Sequence, residues 1–429
     1  MKKVLALTYY WPPSGKASLH FPLQLIKHLQ TFGWRSTVAT VEEETFTQKD
    51  ESLLADIPPD IIVHKIKSFE PFNLYRTFIG KPKTDPLVAS ETISKEKKNL
   101  THRISIWVRM NLFIPDARIG WYPFAVKFLR KLLKNEMFDA IITVGPPHST
   151  HLIGLRLSKL FHLPHVPIFI DPWVDIIYYK DFKRSAPTVG LDKYFEKSVL
   201  INASHIIFVT NSMRSDFIEK YPFVKEKSTV LYWGYNEENF NSFPQTEKSS
   251  GEKILLHAGN IFDYQNPKQL WKYLKEKISQ DEKIKLQFIG TVSPGVRASL
   301  KENHLEEVTE YPGFLPYQAV IDHIRTADYL LVCTTEKRHV PGKLFEYLRA
   351  QKPILCFGEE NFEVAEILRS SNAGMFVSYQ NDGEEFFNTS TSFITDLPFV
   401  KSFDRRIAAE KLAAILQRLS KTNDMLNHD

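Results

Sequence analysis

Pro341-Gly342-Lys343-Leu344-Phe345-Glu346-Tyr347-Leu348 is the segment whose residue types and spacing point most directly to chemistry. Pro-Gly punctuates a tight loop and leaves backbone N–H groups open at a helix start, a place that attracts phosphate. Glu346 follows one turn on, flanked by Leu344, Phe345, Tyr347 and Leu348. A carboxylate among core-facing residues costs free energy unless something binds it. Donors for a pyrophosphate, with an acceptor for ribose hydroxyls one turn away, are what a nucleoside diphosphate requires. The alternative is a local Lys343–Glu346 pair at i, i+3.

Four other strand ends carry polar residues. In Pro12–Ser18, Gly15 permits close backbone approach and the next helix start favours an anion; a plain turn is the alternative. The loop lacks the second glycine and Lys-Ser/Thr of a Walker A sequence, and no Gly-x-Gly-x-x-Gly occurs. Gly145-Pro146-Pro147-His148-Ser149-Thr150-His151 follows the apolar run Ala140–Val144, and His148 or His151 could contact a substrate hydroxyl. Asp171 ends the run Val166–Ile170; it could serve a ligand or cap the next helix. Trp173, just beyond, offers a flat face for a sugar ring or an acceptor. Gly259-Asn260 follows the run ending at His257, and Lys268 at the next helix could reach a pyrophosphate oxygen or simply be solvated. No metal-ligand spacing stands out. A metal-free site is expected, neutralised by backbone N–H groups, Lys343 and Lys268.

Strands must aim these loops. The second half alternates apolar runs with helical periods. Strands are predicted at Lys253–His257, Lys283–Ile289, Val308–Tyr311, Tyr329–Cys333, Pro353–Phe357 and Met375–Ser378. Helices are predicted at Pro267–Ile278, Pro294–Glu302, Pro316–Thr326 and Phe362–Ser371, with one more in the Pro341 segment. The first half does the same with more insertions: strands Val4–Tyr10, Ser36–Thr40, Ile61–His64, Asp139–Val144, Val166–Ile170 and His205–Thr210. Phe69–Asn99 reads as a polar insertion. Buried strands separated by helices indicate parallel sheets covered on both faces. Ligands of such sheets bind beyond the carboxyl ends of the strands.

At 429 residues the chain is too long for one ordinary core. The expected division is 1–235, a linker at 236–252, 253–400, and a C-terminal helix at 401–429 packing back on the first domain. Cys333 and Cys356 sit in apolar runs and read as reduced core residues. No apolar run reaches the roughly 18 residues of a membrane span, and the start reads as a buried strand rather than a signal peptide. The net charge is +5, yet ten basic residues fall between Lys95 and Lys134 against Glu96 and Asp116. Trp107, Phe113, Trp121, Tyr122, Phe124 and Phe128 are interleaved with them. That mixture suits an anionic membrane surface, with a solvated helix face as the alternative; no nucleic-acid motif accompanies it. The expectation is a cytoplasmic protein, peripheral on the inner face of the plasma membrane through 95–134.

In order, these segments resemble the bacterial family-four, GT-B type retaining glycosyltransferases, closest to those of exopolysaccharide, capsule and O-antigen assembly. The resemblance covers nearly the whole chain. It rests on Tyr9-Tyr10-Trp11-Pro12-Pro13-Ser14-Gly15, Asp116 with Gly120-Trp121-Tyr122-Pro123, Gly145–His151, Asp171-Pro172-Trp173 and Pro341–Leu348. It implies an α/β fold of two doubly wound Rossmann-like domains facing a cleft. It implies transfer of a sugar from a nucleotide sugar to a hydroxyl of a glycan or lipid-linked glycan, with retention and no cofactor. Glu346 would hold the ribose hydroxyls and the backbone at Gly342, Lys343 and Leu344 the diphosphate. Gly15, Asn260 and Lys268 would stand on the donor side, and Phe314 in the base-contacting loop. His148 would sit near the donor sugar and Asp171 at the acceptor side, both as catalytic residues, with Trp173 and His151 contacting the acceptor. The chain departs from the family in three places. Arg338 stands where an earlier glutamate is usual, no arginine follows the Gly259 loop, and Trp233-Gly234 replaces an Asn-Gly pair at the domain join. A nucleotide-sugar epimerase of the same fold and a non-catalytic sugar-nucleotide-binding scaffold are the competing readings.

Overall fold

The computed structural model describes residues 1–46, 49–69, 100–176, 184–241, 251–334 and 337–426. The polar insertion, apart from Phe69, lies outside them, as do Lys95, Lys97 and Lys98 of the basic stretch and 242–250 of the expected linker. The chain divides into two compact units, Met1–Leu231 with Ala408–Asp429, and Tyr232–Ile407.

The first unit holds strands β1 (Lys2–Thr8), β2 (Trp34–Val41), β3 (Ile62–Ile66), β4 (Ala140–Gly145), β5 (His165–Phe169), β6 (Ile206–Phe208) and β7 (Ser228–Val230). They form one parallel sheet in the order β3-β2-β1-β4-β5-β6-β7. Its principal helices are α1 (His20–Leu29), α2 (Leu100–Leu112), α3 (Tyr122–Asn135), α4 (Ser149–Phe161), α5 (Ala186–Asn202) and α6 (Asn211–Lys220).

The second unit holds β8 (Lys253–Ala258), β9 (Ile284–Ile289), β10 (Thr309–Gly313), β11 (Tyr329–Cys333), β12 (Ile354–Phe357) and β13 (Gly374–Val377). These are also parallel, in the order β10-β9-β8-β11-β12-β13. Its principal helices are α7 (Lys268–Ser279), α8 (Pro294–Glu302), α9 (Tyr317–Thr326), α10 (Lys343–Ala350) and α11 (Phe362–Ser370). A last long helix, α12, runs Arg405–Leu426.

Val4, Leu5, Ala6 and Leu7 of β1 are all fully buried, so both faces of the strand are covered and the residues need not alternate with polar ones. In the second unit, Leu256, Leu330, Val332, Ile354 and Cys356 pack on one face of the sheet with residues of α9, α10 and α11. Leu255, Leu286, Leu331, Cys333 and Leu355 pack on the other with residues of α7 and α8. The two cysteines are thus free and buried on opposite faces.

Each sheet grows outward and then returns, and the order reverses between β1 and β4 and between β8 and β11. These are the topological switch points, where diverging connections open a crevice at the carboxyl ends of the strands. The loops after β1, β4, β8 and β11 are four of the five singled out in the sequence; the fifth, at Asp171, follows β5. One device recurs at both reversals. Asp139, just before β4, takes the Lys3 N–H on its carboxylate at 2.6 Å and donates its own N–H to the Lys3 carbonyl at 2.8 Å. Asp328, just before β11, does the same to Ile254 at 2.8 and 3.0 Å. Each aspartate extends the ladder one step beyond the first residue of its strand.

Two of the elements that the sequence reading lacks, β7 and α5, have a clear reason for escaping it. β7 spans only three residues, too few for a period to show. Helix α5 buries Asp192 and Glu196, which breaks its apolar pattern. Among the described residues no helix is long and apolar enough to cross a membrane.

Removing either strand-opening carboxylate strands a backbone N–H. Asp139→Ala and Asp328→Ala are each expected to destabilise their own unit by about 1–3 kcal/mol. Urea denaturation with a probe in each unit checks this; a shift below about 0.5 kcal/mol would show that the aspartates do not anchor the reversals.

Candidate active site

Helix α10 follows the switch-point strand β11 after a loop ending in Pro341-Gly342. No side chain caps it. The Leu344 N–H, expected to be open, donates to the Pro341 carbonyl at 3.0 Å. The N–H groups of Gly342 and Lys343 have no partner among the described residues. Gly342 is required by its neighbour, because a Cβ there would lie 2.6 Å from the indole nitrogen of Trp233.

Lys343 does not pair with Glu346. Its ammonium reaches back to β8 and donates to His257 Nε2 at 3.0 Å. The Leu331 carbonyl, 3.0 Å from His257 Nδ1, can only accept, so Nδ1 carries the proton and Nε2 offers a lone pair. Burial keeps His257 neutral by lowering its pKa well below the usual value, and the adjacent ammonium adds to the effect. Burial also brings the Lys343 pKa down to about 8. Gly259, at φ +110°, lies beneath that ammonium: a Cβ there would be 3.1 Å from Nζ.

Glu346 is buried on the same helix. Its Oε1 accepts from the Tyr317 hydroxyl at 2.5 Å and from Arg405 Nη2 at 3.4 Å. Oε2 takes no hydrogen bond among the described residues. Burial raises the Glu346 pKa, and the Arg405 guanidinium opposes that rise most. The cluster therefore offers an ammonium, two backbone donors and one unshared carboxylate oxygen, a set that fits a polyanion carrying a vicinal diol.

The other second-unit candidates stand farther out. Asn260 is exposed, and its side-chain oxygen accepts the Thr291 N–H at 3.1 Å. Lys268 is exposed at the first position of α7. Phe314 follows β10 with 61% of its surface accessible, as an aromatic platform would be. Arg338 sits half-buried in the turn after β11, beside Lys337, whose ammonium lies 3.7 Å from Glu360.

In the first unit the loop after β4 is built around buried imidazoles. Asp116 accepts the N–H and hydroxyl of Ser149 at 2.8 and 3.0 Å, holding the first turn of α4. Burial raises the Asp116 pKa. His148 stacks on Trp173, centroids 4.9 Å apart and planes within 6°. Its Nε2 donates to the Pro172 carbonyl at 3.2 Å, which leaves a bare lone pair on the buried Nδ1. His151 Nδ1 and His165 Nε2 each lie 2.8 Å from the Thr143 hydroxyl. A Cβ on Gly145 would lie 3.0 Å from His148 Nδ1 and 2.5 Å from His151 Nε2, so the two unpartnered nitrogens converge there. Facing lone pairs are avoided only if His151 is protonated on Nε2. Thr143 then donates to His151 and accepts from His165.

Two expected acceptor contacts are corrected by burial. His151 is fully buried and Trp173 is 1% exposed. One face of Trp173 is covered by His148, and its indole N–H donates to Asp192 at 2.6 Å. Both rings support His148 from beneath rather than offering a surface. Gly15 is half-buried in the loop after β1 and takes no left-handed φ. Asp171 is half-buried just past β5, and the next helix, α5, is capped by Ser185 instead.

Residues that the sequence reading missed hold the 171–175 loop. Asp192 takes Trp173 and Arg184, each at 2.6 Å. Glu196, one turn on, takes the Val174 N–H at 3.1 Å, Lys220 at 2.6 Å and Tyr221 at 2.9 Å. Their i, i+4 spacing on an otherwise apolar helix face was the available signal. His257, Tyr317 and Arg405 were also missed, and no motif announces them. Among the described residues no three His, Cys, Asp or Glu side chains converge to hold a metal ion.

Two reversing parallel sheets, each with polar loops at its switch point, define the GT-B class of fold. Solved structures agree. A glycosyltransferase from Rickettsia africae superposes with a TM-score of 0.61 at 14% identity over 97% of this chain and 98% of that one. HepE from Anabaena, in complex with UDP and glucose, gives 0.58 at 14% over 99% and 100%. A UDP-N-acetylglucosamine 2-epimerase gives 0.55 at 12% over 98% and 95%, so the fold alone does not choose between transfer and epimerisation. No curated protein matches in sequence. Residues 21–239, just over half the chain, match Glycosyltransferase Family 4, and residues 238–408 match Glycosyl transferases group 1. The chain belongs to glycosyltransferase family 4 and is a glycosyltransferase.

The imidazole cluster makes the first unit acid-sensitive. Burial lowers the pKa of His148 and of His165 to about 3 and that of His151 well below its usual value. Below about pH 6.5 each takes up its proton only on unfolding. Stability is therefore lost as pH falls from about 6.5 towards the folded values, by up to about 1.4 kcal/mol per pH unit for each histidine. His165→Gln keeps a donor to Thr143 and removes one titration. Its unfolding free energy between pH 6 and pH 5 is expected to fall less steeply than the wild type's, by about that amount. Parallel slopes in urea denaturation would refute the assignment.

Proposed function

We propose that the chain transfers a sugar from a nucleotide-diphosphate sugar to a hydroxyl of a glycan acceptor, lipid-linked, in cell-surface polysaccharide assembly. The observation that carries this is the buried Glu346 one turn after the uncapped start of α10, with Lys343 beside it, at the switch point of the second sheet. In this reading Glu346 Oε2 accepts the ribose hydroxyls. The N–H groups of Gly342 and Lys343 and the Lys343 ammonium take the diphosphate, Phe314 stacks on the base, and Asn260 and Lys268 stand at the rim. HepE, of the same fold, is crystallised with UDP and with UDP-glucose, which supports a nucleotide-sugar donor.

Catalysis is electrostatic. Phosphate oxygens that gain charge as the glycosidic bond breaks meet donors already in place, while an oxocarbenium-like centre develops on the sugar. Lys343, with its pKa near 8, is mostly protonated at neutral pH and gains a full counter-ion in the bound diphosphate. His148 and Asp171 are assigned to the sugar and the acceptor, and retention of configuration follows from the family resemblance. A ligand that reaches His148 Nε2 shares it with the Pro172 carbonyl.

Attachment to an anionic membrane face is supported by α3. Ala125, Leu129 and Leu133 turn inward, while Phe124 and Phe128, each 42% exposed, stand one turn apart among Lys127, Arg130, Lys131 and Lys134. Exposed aromatics ringed by cations suit an interface of apolar chains and anionic headgroups.

Glu346→Gln keeps the shape and removes the charge. Its nucleoside diphosphate affinity is expected to fall about 10- to 100-fold, the scale of lost charge-assisted hydrogen bonds. Calorimetric titration checks this, and unchanged affinity would remove the ribose role. Reversing the charge of Lys127, Arg130 and Lys131 together is expected to release the protein from phosphatidylglycerol vesicles in a sedimentation assay. Co-sedimentation equal to wild type would sink the membrane assignment.

A further inference from the structure

Arg405 has none of its surface accessible. It opens α12, far in sequence from every segment with a recognisable motif. Its guanidinium makes three contacts. Nε donates to the Trp233 carbonyl at 3.1 Å, Nη1 lies 3.5 Å from the Tyr317 hydroxyl, and Nη2 lies 3.4 Å from Glu346 Oε1. Trp233 in turn fills the space that the missing side chain of Gly342 leaves. One group therefore touches the carboxylate on α10, the hydroxyl that shares that carboxylate oxygen, and the residue packed against the start of α10.

A guanidinium inside a protein is costly unless its donors are used and its charge is met. Two weak contacts and one carbonyl would be a poor return for a merely structural role. Their placement has a consequence for Glu346, however. Tyr317 and Arg405 both occupy Oε1, so the carboxylate is fixed in one orientation with Oε2 left over. We propose that Arg405 is a positioning residue for the nucleotide site: it holds Glu346 ionised and turned so that Oε2 receives the ribose hydroxyls. This rests on the donor-site reading given above. The charged and titratable groups facing Glu346 are Tyr317 from α9, Arg405 from α12, and Lys343 and Tyr347 from α10 itself. Lys343 is engaged with His257, which leaves Arg405 as the cation in contact with the carboxylate.

The role predicts a discrimination, not just a loss. If Arg405 acts through the ribose, its removal weakens ribonucleotides more than 2′-deoxynucleotides. UDP and GDP are titrated against wild type by calorimetry, and the tighter one is carried forward with its 2′-deoxy analogue. Wild type is expected to prefer the ribonucleotide by about 10-fold, the worth of one good hydrogen bond to a charged group. Arg405→Met is expected to reduce that preference to less than about 3-fold, and Arg405→Lys to restore part of it. The variant-to-wild-type ratio of Kd for the ribonucleotide is expected to grow as pH falls from 8 to 6, because Glu346 without its guanidinium protonates more readily. Taking the ratio cancels the titrations of Lys343 and of the ligand phosphate.

Tyr317→Phe leaves Arg405 in place and removes only the second donor to Oε1. It is expected to shift both readouts in the same direction by a smaller amount, and it serves should Arg405→Met fail to fold. Arg405→Met that binds more weakly but keeps the full 2′-hydroxyl preference and a flat ratio would overturn the proposal. So would Tyr317→Phe with no effect on either readout. If wild type binds neither diphosphate, the donor-site reading falls and this inference with it.

Discussion

A carboxylate buried one turn into a helix is the constraint around which the second unit is arranged. Several kcal/mol of desolvation must be offset for Glu346 to remain ionised, and the chain reaches over long separations to do it. Tyr317 comes from α9 and Arg405 from the start of α12. Both bonds converge on one oxygen. A carboxylate satisfied on both oxygens would be an inert core element, and one satisfied on neither would protonate. Half-satisfaction orients the group, sets the Arg405 guanidinium against the rise that burial imposes on its pKa, and leaves one oxygen able to accept another partner. The sheet order places this arrangement after β11, next to the point where the strands diverge.

The first unit meets a similar demand without charge. Beneath the loop after β4, burial keeps three imidazoles neutral, and one threonine hydroxyl serves two of them. A hydroxyl has one proton to give, so the hydrogen bonds must run in a single direction from His165 through Thr143 to His151. The acceptor-only Pro172 carbonyl fixes the other end. Such a network stiffens a loop while adding no net charge near a sugar. The 171–175 loop, by contrast, is held by the carboxyl groups of Asp192 and Glu196, whose partners Arg184 and Lys220 come from separate segments. Neutral bonding lies beneath the loop that carries His148, and ion pairing beneath the loop that carries Asp171.

Much of this was legible in the chain itself. Runs such as Val4–Leu7 and Tyr329–Cys333 are apolar on both faces, and only a parallel sheet with helices on both sides accommodates that. Pro-Gly before Lys343 marked the helix start, and all the strand-end loops but the one at Asp171 fell where the order of strands reverses. What escaped was long-range or disguised. Arg405 lies 59 residues from Glu346 along the chain, and nothing local to either announces the pair. Helix α5 hid because the charges that make it useful spoil its periodicity. Trp173 and His151 have the chemistry of ligand contacts, and sequence cannot tell a ring that faces solvent from one that lies beneath another ring. The alternative, a Lys343–Glu346 pair, is not formed: the ammonium reaches back to His257 on β8, while Tyr317 and Arg405 take the Glu346 carboxylate.

The make-up of the first unit bears on how the protein is built. Its sheet is encoded before residue 232, yet it also takes in Ala408–Asp429, where Ala409, Leu412 and Leu416 are buried and Ser420 accepts a hydrogen bond from Lys2. A ribosome delivers the whole of 232–407 before it delivers that helix. The unit translated first is therefore finished last. Throughout synthesis of the second unit, the surface that will receive α12 stays uncovered on the nascent chain, an apolar patch open to chaperones and to other chains.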